Sequence, residues 1–195
     1  MKKTFAFLIV ALSASTLLSQ TTFAQSTWNA DPMHSKLAFS TTHLGISDID
    51  GGFNKFTASA ITNKADFSDA VFDLSVDVAT INTLVEMRDK HLRSADFFDV
   101  EKFPTMTYKS TGIKKVSENK YQLTGDLTLL GVTKPVTMDL WYRGTIVNPQ
   151  TKASTAGFQL TGTIKRSDFG VGPKFAPPML SDEVKIKADG EFKQK

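Results

Sequence analysis

The segment from Met87 to Val100 concentrates more potential chemistry than any other part of this chain. Arg88, Lys90, His91 and Arg93 supply four cations or potential cations. Asp89, Asp96 and Asp99 add three acids, and Phe97-Phe98 an aromatic pair. Lying between β-like runs, such a mixture is either a site or a plug. Catalysis would need a nucleophile beside a base, paired acids, or a metal cage. The only other histidines are His34 and His43. Their odd spacing points them to opposite faces of one regular strand, so a shared metal cage would need a bulge. The plain reading is a capped turn for His34 and a hydrogen-bonded, half-buried ring for His43. Asp48-Ile49-Asp50-Gly51 hints at a calcium loop, but the register places Ile46 at the first ligand position and Thr57 where a bidentate Glu belongs. Asp69, Asp73 and Asp77 are expected on the wet face of one strand. Nucleophile-elbow, phosphate-loop and dinucleotide signatures are missing from the sequence. A hydrolase using His43 and His91 with an acid is therefore the weaker reading, and no metal or cofactor is expected.

The elements that must position these residues are strands. Leu37 and Phe39 alternate with polar neighbours, as do Phe72, Leu74, Val76 and Val78. The same holds for Tyr121 to Leu129, for Val136, Met138, Leu140 and Tyr142, for Phe158 to Ile164, and for Val184, Ile186 and Ala188. Period-two alternation means sheets with one apolar and one wet face. Turn signals punctuate these runs at Asp50-Gly51-Gly52, Ser117-Glu118-Asn119, Gly131 to Pro135 and Asn148-Pro149. The pattern predicts an all-β domain of about eight strands. An antiparallel barrel is favoured because closure removes exposed edges. A short helix is inserted around residues 84–98, with Phe97-Phe98 beneath it and Pro104 returning the chain to strand. Residues 166–181, rich in Gly and Pro, form a long irregular loop, either a lid or a disordered segment.

Lys2-Lys3, the apolar run Phe5 to Leu12 and the small residues at Thr22-Phe23-Ala24 read as a signal peptide over residues 1–24. The domain proper is then 25–195, exported and periplasmic, with no segment long enough to span a bilayer. Without Lys2 and Lys3, 21 of the 23 bases face 20 acids. A net charge of +1 gives no support to nucleic-acid binding or a polybasic membrane anchor. The chain has no Cys, so its core alone must hold it together. Twelve of the fifteen Phe lie beyond the leader. Phe39, Phe53, Phe56, Phe72, Phe97, Phe98 and Phe103 fall on or beside inward faces. They either fill the barrel or line a cavity, since an eight-stranded barrel can do both.

Several segments together resemble the YceI-like family of exported lipid-binding proteins. They begin with His34-Ser35 and Phe39, His43-Leu44-Gly45-Ile46-Ser47, Gly52-Phe53 and Phe56. Arg88-Asp89, His91 to Phe98, Phe103-Pro104 and Ser110-Thr111 follow. Gly125 to Thr128, Gly131 to Val136, Arg166-Ser167-Asp168-Phe169-Gly170 and Ser181 to Val184 complete the match, which runs from about Thr27 to Lys187. One departure is Leu130, where the family commonly has a polar residue or His. The resemblance implies a lipocalin-like eight-stranded barrel enclosing a long apolar molecule. That molecule would be a polyisoprenoid such as a quinone precursor or prenyl pyrophosphate, or a fatty amide; a homodimer is also implied. The implied contact set is Phe39, His43, Phe53, Phe56, Phe72, Leu74, Val76, Leu92, Phe97, Phe98, Phe103, Met106, Tyr108 and Leu140. Arg88, His91 and Arg93 would meet a phosphate or amide head at the mouth. The alternative for Arg88, Asp89 and Asp96 is an ion-pair network pinning the helix to the barrel. A filled barrel acting as a stress-protective interaction module is the competing reading to a lipid carrier.

Overall fold

The structure, a computed structural model, describes residues 24–195, so the expected leader falls outside it except for Ala24. The strands are β1 (Ser26–His43), β2 (Ser47–Phe53), β3 (Phe56–Thr62), β4 (Val71–Asp77), β5 (Ile81–Asn82), β6 (Thr105–Ser117), β7 (Lys120–Leu129), β8 (Val132–Val147), β9 (Ser154–Lys165) and β10 (Leu180–Gln194). Helix α1 covers Glu86–Arg93, inside the expected window. β1, β3, β4, β6, β7, β8, β9 and β10 follow one another around a closed antiparallel barrel, with β10 returning to β1. β2 lies against the second half of β1, from Leu37↔Phe53 to His43↔Ser47, and carries the two-residue β5 on its other edge. The lipocalin-like, eight-stranded architecture thus holds, and closure satisfies most of the ladder groups that an open sheet of this length would expose.

Alternation places the core. Along β7, Tyr121, Leu123, Leu127 and Leu129 are buried while Lys120, Gln122 and Asp126 are exposed. β8 repeats this with Met138, Leu140 and Tyr142. The hairpin between these strands turns through Leu130 (φ 52°) and Gly131 (φ 74°). A two-residue turn with both φ values positive matches the right-handed twist of a hairpin, and it suits Asn or Gly better than Leu.

Both histidine expectations need correction. His34 lies in a bulge within β1 and not in a turn between elements, with Asp31 accepting from the Met33 amide (3.0 Å) and lying 2.8 Å from His34 Nδ1. His43 is exposed at the end of β1 rather than half-buried, because the strand terminates there. Asp69 also departs from expectation. It precedes β4 and accepts from the Thr62 hydroxyl and the Asn63 amide, closing the 63–70 turn rather than wetting a strand face.

Asp31, His34 and Glu191 lie close enough together to suggest a metal site. However, the Lys193 ammonium stands 2.7 Å from Asp31 and already supplies the cation. Hydrogen bonding from Lys193, then from His34, holds the Asp31 carboxyl far below its ordinary range. The Asp31 hydrogen bond, with the charges of Asp31 and Glu191, raises His34 above 6.5. A histidine raised on folding contributes stability that is complete below its unfolded value and lost as pH rises through the folded one. Asp31 works oppositely, and its share is lost only on acidification below about 3.8. Melting temperature is therefore expected to decline as pH is raised from about 6.5 into the mildly alkaline range. His34→Gln should flatten that decline when both proteins are melted across the same buffers.

Candidate functional site

The registers bring the ends of β1, β4, β7 and β9 and the starts of β6, β8 and β10 to one rim of the barrel. Both long insertions, residues 78–104 and 166–179, leave from this rim and form a cap. The opposite end is plugged by rings. Phe67, only 1% exposed, packs on Trp28, Tyr142 and Phe158 with centroid distances of 5.3, 4.9 and 4.9 Å. Phe72 and Phe192 meet Phe158 edge-on at 5.4 and 5.2 Å. These edge-to-face arrangements are the favoured packing of aromatic quadrupoles.

Between plug and cap lies a cavity of about 210 Å³ with an almost wholly hydrocarbon wall. Of the sequence-derived candidates, Phe39, Phe53, Phe56, Phe72 and Leu74 border it from β1 to β4. Met106, Tyr108 and Leu140 border it from β6 and β8, and Leu92, Phe97 and Phe98 close it from the cap. Burial, with a smaller contribution from Asp126, pushes the Tyr108 phenol up to about 12, so it stays neutral and donates to the Leu123 carbonyl at 3.2 Å. The volume is below the roughly 300–1,000 Å³ typical of small-molecule sites. Admitting a long chain therefore requires partly buried wall residues such as Leu74, Phe98 and Met106 to shift.

Five candidates lie elsewhere. Val76 is fully buried in a second cluster with Leu37, Phe53, Val78 and Ile81. Phe103 rests against Gly131, where an added Cβ would come 2.9 Å from its ring. His43 is exposed at the rim. Arg88 and His91, expected at the mouth, do not border the cavity. Arg88 donates through Nε to the Thr83 hydroxyl and through Nη2 to the Thr83 carbonyl, both at 2.7 Å. That hydroxyl in turn donates to Asp89, which is 4% exposed and also accepts the Thr83 amide at 2.9 Å. Arg93 donates to the carbonyls of Ala79 and Ile81. The pinning alternative holds only in part. Arg88 and Asp89 tie the helix to Thr83 of the same insertion through hydrogen bonds. Of Arg88, Asp89 and Asp96, only Asp96 forms ion pairs, with His91 and with Lys174 of the other insertion.

The rest of the cap is aromatic. Phe97 and Phe175 stack at 4.8 Å and 16°, and His91 meets both edge-on at 5.1 and 5.6 Å. Asp96 joins the two insertions, 2.7 Å from Lys174 and 3.3 Å from His91. Those two partners, Lys174 first, lower its carboxyl. Gly172 sits at φ 60° with Phe97 lying on its backbone, so a side chain is excluded both by conformation and by a 2.6 Å approach to the ring.

Sequence reasoning did not single out Arg166 as a site residue, although it begins a quoted motif. It is 6% exposed and borders the cavity. Nε donates to Ser181 O (2.9 Å), Nη1 to Val171 O and Gly172 O (2.9 and 2.7 Å), and Nη2 to Leu180 O (3.1 Å) and Phe175 O. All five guanidinium N–H groups are matched, and the loop is folded around them. Burial pulls the guanidinium below its ordinary value, opposed by Asp182. The only local signal was a lone Arg directly ahead of a Gly- and Pro-rich stretch.

The chain is 36% identical over 166 residues to the UPF0312 protein SA2479 of Staphylococcus aureus (strain N315), covering 83% of this chain and 94% of that protein. Its fold matches BcnA of Burkholderia cenocepacia with a TM-score of 0.73 at 27% identity, over 83% of this chain and 98% of BcnA. It also matches a polyisoprenoid binding domain from Saccharophagus degradans with a TM-score of 0.62 over 87% and 98% of the two chains, a likeness of fold at 17% identity. The profile of the YceI-like domain matches residues 28–192, nearly the whole described chain, and this protein belongs to that family.

Proposed function

We propose that this protein is a non-catalytic, exported carrier that holds a long apolar lipid of the isoprenoid class inside its barrel in the periplasm. The observation that carries the reading is the apolar cavity between the aromatic plug and the folded cap. A filled barrel would leave no such space. The likeness to a fold named for polyisoprenoid binding supports the ligand class. The basic start, apolar run and small residues up to Ala24 support export. Each buried CH₂ unit of a prenyl chain contributes about 0.8 kcal/mol. Ordering the chain and displacing wall side chains offset a large part of that sum. An enzyme using His43 and His91 together finds no support in the geometry, since His43 is exposed at the rim and His91 is held in the cap.

Native mass spectrometry of protein purified from the exported fraction tests the proposal. The expected spectrum shows a chain cleaved after Ala24 with a stoichiometric, organic-extractable isoprenoid or acyl adduct. The same spectrum reads whether the particle is the implied homodimer. A clean apo mass that persists after incubation with prenyl lipids would favour the stress-protective module.

A further inference from the structure

The barrel wall has a gap on its β1–β3 side. β1 pairs with β3 only from Ser26 to Asn29, and with β2 only from Leu37 to His43. Between these ladders, Ala30 to Lys36 have no partner on that side, and Phe56 to Ala58 have none on β1. β1 also bulges outward here. Ala30 faces Phe192 and Ser35 faces Gly190, so β1 advances five residues while β10 advances two. Asp31, His34, Glu191 and Lys193 fasten this bulge, and its tip exposes Met33 at 84%.

Two hollows meet at the gap. An outer pocket of about 400 Å³ shares Ala30, Phe56, Ala58 and Asp73 with the inner cavity. Small side chains at Ala30 and Ala58 leave little between the two. Both ends of the barrel are obstructed, by the Phe67 cluster and by the cap, whereas at the side wall the two hollows share lining residues. The outer pocket is polar on its far side, where Asn29, Ser59, Asp73 and Ser75 line it. Its lining holds one carboxylate and no cation, and Lys109 stands 3.9 Å from Asp73. Unpaired strand-edge groups of Phe56 to Ala58 add further donors and acceptors.

We propose that the lipid enters and leaves through this gap, and that its polar end rests in the outer pocket as an uncharged hydroxyl or amide head. The proposal rests on the lipid-binding reading above. A hydroxyl can donate to Asp73 and accept from a serine hydroxyl or a free backbone amide. An anionic head would face Asp73, whose charge is offset only in part by Lys109 standing outside the lining at 3.9 Å.

Retinol and retinoic acid test this, because they carry the same isoprenoid chain on a hydroxyl and on a carboxyl. Uptake is read by quenching of protein fluorescence in stopped flow and at equilibrium. Wild type is expected to hold retinol about tenfold tighter than retinoic acid, and Asp73→Lys to erase that preference. Loading of retinol should slow by about tenfold or more in Ala58→Trp and Ser59→Trp, which fill the gap from its inner and outer sides. Ser59→Trp, at the rim, decides the matter if Ala58→Trp does not fold. Wild-type loading rates in the folded variants, or a head-group preference indifferent to Asp73→Lys, would overturn the side entrance. Failure of wild type to bind either retinoid overturns the lipid reading itself, a separate outcome.

Discussion

Leu74→Asp and Phe39→Asp are each expected to lower the affinity for prenyl lipid by at least about 100-fold while leaving the barrel folded. Both side chains border the cavity and are only partly buried, so the new carboxylate reaches some water and the fold survives. The lipid has no such relief. Its chain must displace that water and lie against a charge, or against a carboxyl forced to take up a proton; both cost free energy that the wild-type wall does not demand. Val71→Asp offers the control, because Val71 starts the same strand as Leu74 but is 45% exposed. Titration with a prenyl alcohol, alongside thermal melts of all four proteins, checks the result. Uptake at the wild-type level in a folded Leu74→Asp protein would rule out the cavity as the lipid site.

The second large effect concerns stability. Arg166→Leu removes the donor set for five carbonyls in the loop from Val171 to Ser181. Leucine fills part of the volume but removes a charged donor from each acceptor in a poorly hydrated place, Gly172 O keeping a backbone bond from the Phe175 amide. Breaking a buried, fully matched charged group costs about 3–5 kcal/mol. For a domain of this size that corresponds to a fall of roughly 10 °C in melting temperature. The loss should be local first: the loop should become cleavable by added protease near Phe175 before the barrel melts. Arg166→Lys retains the charge but offers three donors from a single point, so it is expected to recover only part of the stability. Equal protease resistance in wild type and Arg166→Leu would show that the loop is held by its Phe97–Phe175 stack instead.

The barrel was legible because alternation is a local property. Tyr121, Leu123, Leu127 and Leu129 declare an inward face within one strand, and Ser117-Glu118-Asn119 declares the turn before it. The signal at Gly131 to Pro135 holds only at Gly131, because Val132 onward already pairs in β8, and Asp50-Gly51-Gly52 lies inside β2 instead of in a turn. The apolar set was legible for the same reason, and most of its members do share one wall. The misplaced candidates show where that reasoning stops. Val76 and Leu74 lie on the same strand face, yet the rim insertion covers Val76 with Val78 and Ile81 while Leu74 still meets the cavity. Arg88 and His91 carry the chemistry of a head-group site, but Thr83, Asp96 and the Phe97–Phe175 pair lie within reach and engage them first.

By itself, the sequence determined the all-β class, the inserted helix and the identity of most of the apolar wall. Each follows from the side-chain period of a strand or from turn chemistry that neighbouring residues settle among themselves. Only the tertiary structure decided that Arg166 organises the cap, that Phe67 seals the far end, and that the wall opens between β1 and β3. Those features depend on which segments distant in sequence become neighbours. A buried guanidinium finds its carbonyls, and a strand finds or lacks its ladder partner, only once closure of the barrel has fixed the register of every strand against the next.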